Sequence, residues 1–399
     1  MIAQKLYTPQ QLILPEMGEE LTSSRPNIQS PIKWPGGKSE EFKYIEHLIP
    51  MYNRYIEPFF GGGAIFFKLQ PQQAIINDIS VELIDFYRFL KGDYETELFE
   101  TELFKYVIHW ETISEYVSIF GDTFTQLYHD FQSAKMSQVE LKKQVTFYIQ
   151  QQESIFKQFF AEDFCLDSKN LLRQIRENLA SKIKRTSDIS QKHGELSSHD
   201  LRMNIETAFR SGFYMHFRDI LNFSDTYSVS HAKKIANYYF IREFCYGAMF
   251  RYNKQGHFNI PYGGSAYNTK DFRGKVSRLF LPEFRGLFTN VTVERLDFEN
   301  LFEKYAMSEH DFIFLDPPYD SEFSGYGNQE FNQDDHKRLA NVLYHTPAKF
   351  IMIIKETPFI LGLYQGMRDF QIEEFGKQYL YNVKGRNNQN ANHLIIYRV

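Results

Sequence analysis

Cysteine is almost absent from this chain of 399 residues, which contains only Cys165 and Cys245. Two cysteines without C-x-x-C spacing cannot form a zinc cluster between them, and they exclude a scaffold built on several disulfides. The composition therefore indicates a disulfide-free protein of the cytoplasm, and we expect no metal site.

Long apolar runs are lacking as well. No stretch approaches the roughly 20 residues that a membrane-spanning helix needs. Residues 1–30 are polar and do not have the basic segment followed by an apolar run that is typical of a signal peptide. We expect an N-terminal extension over residues 1–30 and no association with a membrane.

An excess of positive charge is also missing, because the formal net charge is −5. This excludes a protein that coats nucleic acid by bulk attraction. It permits one that holds DNA through a local basic patch, because phosphate contacts act within about 8 Å at physiological salt. Aromatic residues are plentiful, with 39 Phe and 26 Tyr, and they supply material for a core and for stacking surfaces.

The first third of the chain alternates between strand and helix patterns. A short strand at Tyr55 and Ile56 is followed by Gly61-Gly62-Gly63 and by a helix over Ala64–Leu69. A second strand over Ala74–Asn77 ends at Asp78, and another helix follows over Val81–Leu90. This order predicts the beginning of a doubly wound, Rossmann-like α/β sheet.

Strand patterns return only near the C-terminus, so the sheet is interrupted by a long insertion. The C-terminal strands are predicted at 291–293, 312–315, 350–354 and 393–397, with a helix over 334–344. Between the two halves, we predict helices over 94–160, an exposed loop over 184–200, a helix over 232–248 and an irregular segment over 251–285. The predicted catalytic domain comprises residues 31–98 and 287–399, and a mostly helical target-recognition region comprises 99–286.

The most specific motif is Leu315-Asp316-Pro317-Pro318-Tyr319, which follows a predicted strand and so lies at the carboxyl end of the sheet. Two prolines fix the backbone and remove two N–H donors. Asp316 and the Pro317 carbonyl can accept hydrogen bonds from an aromatic amine such as adenine N6, and Tyr319 can stack on a base swung out of a duplex. The alternative is a tight turn capped by Asp316.

Two further features belong to nucleotide-binding sheets. The glycines of Glu57-Pro58-Phe59-Phe60-Gly61-Gly62-Gly63 let the backbone approach a ligand closely. Asp78, at the end of the next strand, can accept both ribose hydroxyls of a nucleoside-type cofactor, although such an acid, taken alone, is more often the cap of the helix that follows.

Taken together, these motifs give the chain a family resemblance. It resembles the Dam-type DNA adenine N6-methyltransferases, the D12 class of the α group. The resemblance rests on five blocks in the family's order: PIKWPGGK (31–38), YIEPFFGGGA (55–64), the acid of IINDIS (Asp78), RYNKQGHFNIPYG (251–263) and LDPPY (315–319).

The resemblance implies S-adenosylmethionine as the cofactor, double-stranded DNA as the substrate, and direct in-line transfer of the methyl group to N6 of a flipped adenine without a metal. The implied cofactor contacts are Trp34, Lys38 (near the cofactor's carboxylate), Phe60, Gly61, Asp78 and Asp316. The implied catalytic residues are Asp316, Pro317 and Tyr319. Asp297 and Phe298 match the family's contact to the cofactor's adenine only loosely.

The chain departs from compact Dam-type enzymes between Leu90 and Phe244, so the family's GATC specificity is not carried over. A basic run follows the fourth block, at Lys270, Arg273, Lys275, Arg278 and Arg285. It is either a phosphate-binding patch or a solvated surface. The insertion either reads DNA, as its basic residues Arg173, Arg176, Lys182, Lys184 and Arg185 favour, or forms a dimer or binds a partner.

The oligomeric state, monomer or homodimer, stays open. The resemblance places the protein in a prokaryotic or phage-encoded setting, with or without a paired restriction enzyme. Two alternatives remain: an RNA adenine N6-methyltransferase, and a catalytically inactive DNA-binding relative.

Overall fold

The computed structural model describes residues 28–319, 325–326, 329–378 and 390–399. Most of the predicted N-terminal extension, residues 1–30, lies outside the described residues. Among those described, no helix is both long and apolar enough to cross a membrane.

A seven-stranded sheet forms the centre of the fold, and a two-stranded ribbon lies apart from it. The strands of the sheet are β1 (Arg54–Glu57), β2 (Ala74–Asn77), β3 (Val291–Glu294), β4 (Asp311–Leu315), β7 (Lys349–Lys355), β8 (Gln371–Gln378) and β9 (Asn390–Arg398), and the ribbon pairs β5 (Gly325–Tyr326) with β6 (Gln329–Glu330). The order across the sheet is β3-β2-β1-β4-β7-β9-β8. β1, β2, β3, β4 and β7 are parallel, whereas β9 lies antiparallel between β7 and β8. The predicted doubly wound α/β sheet is confirmed.

Strand order reverses between β1 and β4, because the chain continues from β1 towards β2 on one side and from β4 towards β7 on the other. Open α/β sheets bind ligands at such a switch point, beyond the carboxyl ends of the strands. β4 is buried along its whole length, as an apolar strand covered on both faces must be. It therefore carries the Asp-Pro-Pro-Tyr motif directly to the switch point.

Fifteen α-helices lie within the described residues. They are α1 (Phe42–Ile45), α2 (Ala64–Leu69), α3 (Val81–Lys91), α4 (Thr96–Gln132), α5 (Gln138–Gln151), α6 (Glu153–Phe159), α7 (Glu162–Cys165), α8 (Ser168–His193), α9 (Ser198–Asn222), α10 (His231–Phe244), α11 (Phe272–Leu279), α12 (Pro282–Gly286), α13 (Phe298–Lys304), α14 (Gln333–His345) and α15 (Pro358–Tyr364). Single 3₁₀ turns occur at Glu46–Leu48, Tyr246–Ala248 and Ser265–Tyr267.

The helices between β2 and β3 pack on the sheet through α3, and α10 packs on α3. The rings of Phe86 in α3 and Tyr239 in α10 are stacked, with centroids 4.9 Å apart. One hydrophobic cluster runs from the sheet into α4, α8 and α9 without a break. The helices between β2 and β3 therefore share one hydrophobic core with the sheet.

Two predictions for the middle of the chain were wrong. The predicted exposed loop over 184–200 is mostly helix, because α8 continues to His193 and α9 begins at Ser198. Two of its small polar residues, Ser187 and Ser190, are buried and bonded across helices: the hydroxyl of Tyr128 donates to Ser190 at 2.8 Å, and Ser187 donates to Gln132. The segment 251–285, predicted to be irregular, contains the short helices α11 and α12.

Candidate active site

A cleft of about 880 Å³ opens at the switch point. Its walls come from the segments after β1, β2, β3 and β4, from residues 34–38, and from Phe250, Tyr252 and Gly256. Every residue proposed for the site lines this cleft: Trp34, Lys38, Phe60, Gly61, Asp78, Asp316, Pro317 and Tyr319. The fold thus brings together residues from both ends of the chain.

The turn after β1 depends on its glycines. Gly61 has a φ of +50°, and a Cβ placed on it would lie 2.7 Å from Cδ1 of Trp34. Only glycine allows this backbone to lie so close to the indole ring. Phe60 is nearly fully buried, with its ring edge-on to Tyr87 at 4.8 Å, so it anchors the turn as well as lining the cleft.

Asp78 braces this turn from the end of β2. Its carboxylate accepts hydrogen bonds from the backbone N–H groups of Gly61 and Ser80, each at 2.9 Å. The residue at the N-cap of α3 is Ser80, so Asp78 is not that cap. Burial raises the pKa of Asp78, and the backbone hydrogen bonds oppose this rise.

Asn77 is a structural residue that the sequence analysis missed. Its side-chain amide donates to the carbonyls of Pro58 at 2.9 Å and Leu296 at 3.0 Å, and its oxygen accepts from the N–H of Leu296 at 2.8 Å. These bonds join the segments that follow β1, β2 and β3. The available sequence signal for this role was a polar residue directly after the apolar run Ala-Ile-Ile.

Lys38 lies against the Asp-Pro-Pro-Tyr motif. Its side chain is 1% exposed, and its ammonium group forms an ion pair with Asp316 Oδ1. It also donates to the hydroxyl of Tyr319 at 3.2 Å and to the Gly36 carbonyl at 2.8 Å. Lys38 is therefore not a solvated surface charge, and it fixes the direction of the Asp316 carboxylate.

Glu57 is a second residue that the sequence analysis did not single out. It is buried at the end of β1, where it accepts a hydrogen bond from the hydroxyl of Tyr55 at 2.7 Å. Burial raises the pKa of Glu57 well above its usual value; the hydrogen bond from Tyr55 opposes this rise, and the nearby charge of Asp316 adds to it.

Asp297 and Phe298 border the cleft but also have structural partners. Asp297 caps α13 by accepting the N–H of Glu299 at 3.0 Å, and it forms an ion pair with Arg338. The ring of Phe298 packs on Phe59 with centroids 5.7 Å apart. These contacts account for both residues without a ligand.

Much of the basic run after residue 263 is neutralised within the protein. Lys270 and Lys275 both bind the buried carboxylate of Glu243, and Arg273 binds Glu111. Burial lowers the pKa of Lys270 to about 8, although Glu243 opposes this. The run is therefore partly structural rather than a simple phosphate-binding patch.

A doubly wound sheet with a glycine turn, a strand-end acid and Asp-Pro-Pro-Tyr at its switch point defines a methyltransferase fold. The sequence model of the family described as D12 class N6 adenine-specific DNA methyltransferase matches residues 34–152 and 143–380. The chain therefore belongs to this family, as the five sequence blocks predict.

Two type II methyltransferases resemble the chain over most of its length, and a DNA adenine methylase resembles it over less than half. The type II methyltransferase M.CviBI of Paramecium bursaria Chlorella virus NC1A is 24% identical over 368 residues, covering 92% of this chain and 97% of the relative. The type II methyltransferase M.MjaIII of Methanocaldococcus jannaschii is 24% identical over 89% of this chain and 93% of its own length. The retron Ec67 DNA adenine methylase of Escherichia coli is 31% identical over 43% of this chain and 58% of the relative.

Proposed function

We propose that this protein transfers the methyl group of S-adenosylmethionine to N6 of an adenine in double-stranded DNA. Membership of an adenine-specific DNA methyltransferase family supports the reaction class. The observation that carries the proposal for this chain is the Asp316 carboxylate, held by buried Lys38 at the carboxyl end of β4, in the same cleft as the glycine turn.

The cleft fits a nucleoside cofactor. The close approach of Trp34 to Gly61 forms a narrow cradle that a Cβ would fill, and Asp78 presents a carboxylate beside it. We assign Trp34, Phe60 and Gly61 to the walls of the cofactor site, Asp78 to the ribose hydroxyls, and Lys38 and Asp316 to its methionine end. The cofactor carries its methyl group on a cationic sulfur, and the neutral thioether that remains after transfer is a good leaving group. The transfer therefore needs no metal.

Asp316 and Pro317 serve the adenine. The N6 lone pair is delocalised into the ring and is a poor nucleophile, but acceptors for its two N–H bonds favour the pyramidal, reactive form. The Asp316 carboxylate and the Pro317 carbonyl are those acceptors, and Tyr319 stacks on the extruded base. Lys38 keeps the carboxylate in place while the charge on N6 develops.

The helical region, residues 99–286, is proposed to recognise the target around this cleft. Two of the relatives are type II methyltransferases by name, which supports a place in a restriction–modification system. The catalytic domain in this proposal comprises residues 31–98 and 287–399.

A competition assay tests this proposal against an RNA substrate. Purified protein is given labelled S-adenosylmethionine together with matched DNA and RNA duplexes. We expect label in N6-methyladenine of the DNA. Label only in RNA would favour the RNA alternative, and no transfer to either by folded protein that binds DNA would favour an inactive DNA-binding relative.

A further inference from the structure

Arg242 is a fully buried arginine in α10, with an exposed fraction of 1%. Its Nη1 donates to the Met249 carbonyl at 2.9 Å. Its Nη2 donates to the carbonyls of Ala248 at 2.7 Å and Lys33 at 3.0 Å. One planar guanidinium therefore joins two segments that are more than 200 residues apart in the chain.

The same guanidinium lies over the ring of Phe250, which in turn contacts the ring of Trp34. Its central carbon lies 3.6 Å from the centroid of Phe250 and 5.8 Å from that of Trp34. The two rings contact each other, with centroids 4.4 Å apart. Arg242, Phe250 and Trp34 form one unit, which we call the arginine clamp.

The clamp connects to the two sides of the cleft differently. Through Trp34 it touches Gly61, whose N–H is held by Asp78 in the proposed cofactor site. Through Met249 and Phe250 it holds the segment over residues 246–263, which we call the recognition loop. That loop exposes Tyr246 (46%), Arg251 and Tyr252 (38%), so two flat side chains and a cation are available to a nucleic acid. Tyr252 also lines the cleft.

We infer that Arg242 is a positioning residue that couples cofactor binding to DNA binding. The inference rests on the proposed function, because it takes S-adenosylmethionine and DNA as the two ligands. A cofactor that fixes Trp34 also fixes Phe250 and the carbonyls that Arg242 holds, so the recognition loop is ordered before DNA arrives. By linkage, DNA bound to the loop raises cofactor affinity by the same factor.

The test measures that factor with S-adenosylhomocysteine, the demethylated product, so that no turnover occurs. Its Kd is determined by calorimetry without DNA and with a saturating duplex that the wild-type protein methylates. Typical couplings are about 5- to 150-fold. We expect the duplex to lower the wild-type Kd by at least about 5-fold. In the Arg242→Lys variant, the duplex should lower the Kd for S-adenosylhomocysteine by less than about 2-fold. One ammonium group cannot replace a planar guanidinium that donates to three carbonyls and stacks on a ring.

Arg210→Lys is the matched control. Arg210 is also a buried arginine, in α9, that donates to the Trp110 carbonyl at 3.1 Å and stacks 4.4 Å from the Trp110 ring, but neither residue lines the cleft. The Arg210→Lys variant should keep the wild-type coupling between the two ligands. If Arg242→Lys does not fold, Phe250→Leu removes the stacking surface and should weaken the coupling in the same direction.

Three results would overturn the coupling: a wild-type factor near 1, full coupling in folded Arg242→Lys or Phe250→Leu protein, or an equal loss in Arg210→Lys. A wild-type protein that binds neither ligand would instead contradict the proposed function itself, and the coupling with it.

Discussion

At the scale of single residues, Asp78 is the side chain that combines support of the turn with the proposed contact to ribose. Asp78→Asn keeps the shape but removes the charge and one acceptor. We expect the Kd for S-adenosylmethionine to rise by about 5- to 150-fold, because charge-assisted hydrogen bonds to the ribose are worth about 1–3 kcal/mol. Calorimetry on folded protein measures this change.

Asp93→Asn is the matched control for this measurement. Asp93 pairs with Lys91 just after α3 and does not line the cleft, so its loss should leave cofactor affinity unchanged. Unaltered cofactor affinity in Asp78→Asn would reduce Asp78 to a brace for the glycine turn.

The sequence predicted which residues gather at the cleft better than it predicted their partners. Motif residues such as Asp316 and Gly61 have a fixed place at strand ends, so the order of motifs was enough to bring them together. The Lys38–Asp316 pair joins residues 278 positions apart, and the contacts of Arg242 and Asn77 also depend on how distant segments meet. No local pattern contains that information.

At the scale of elements, periodic apolar segments were predicted well and polar ones poorly. β4 and β7 are continuous apolar runs and were recognised. β8, with the sequence Gln-Ile-Glu-Glu-Phe-Gly-Lys-Gln, was missed because it is polar, as an edge strand can be; among the described strands it pairs with β9 alone. The polar end of α8 was missed because its buried positions carry small polar residues, such as Ser187 and Ser190, that bond to neighbouring helices instead of an apolar stripe.

His216 makes the packing of α7, α8 and α9 dependent on pH. Its Nε2–H donates to the Cys165 carbonyl at 2.8 Å, and its Nδ1 accepts from the Asn170 amide at 3.1 Å, so the ring is neutral. Burial lowers the pKa of His216 to about 4. Between pH 6.5 and 4 the unfolded chain binds a proton at this histidine that the folded protein does not, so His216 contributes a fall in stability on acidification of about 1.4 kcal/mol per pH unit.

Urea unfolding between pH 7 and 5 tests this prediction. His216→Gln should lower the free energy of unfolding at pH 7. Below pH 6.5 the free energy of unfolding of this variant should depend less steeply on pH, by the equivalent of about one proton. His310→Gln, at an exposed position, should have the same slope of stability against pH as the wild-type protein. The account of His216 fails if its replacement leaves the slope of stability against pH intact.

At the scale of the whole molecule, the helical region is the part whose role is least constrained by motifs. Its proposed DNA-contacting residues are Arg173, Arg176, Lys182, Lys184 and Arg185. Two of them have carboxylate partners, because Arg173 lies 3.4 Å from Glu177 and Lys184 lies 3.2 Å from Asp188. Both pairs are half-exposed, so phosphates can compete for these cations.

Neutralising all five should flatten the dependence of DNA affinity on salt. Each lost phosphate contact reduces the log–log slope by up to about 0.9. Binding titrations at several salt concentrations measure the slope, and neutralising Lys157, Lys135 and Lys105 elsewhere in the helical region is the control. An unchanged slope, together with a shift from dimer to monomer when residues 99–235 are shortened, would favour a protein-binding role for the insertion.

The central claim is that Asp316 enables methyl transfer to adenine N6, and mass spectrometry of nucleosides from treated duplex DNA tests it most directly. Wild-type protein should produce N6-methyladenine. Folded Asp316→Ala should produce it about 10²- to 10³-fold more slowly, as expected for the loss of a transition-state hydrogen-bond partner, while Asp334→Ala, at an exposed acid in α14, should match wild type. Methylation of another base atom, or Asp316→Ala turnover within a few-fold of wild type, would contradict the account.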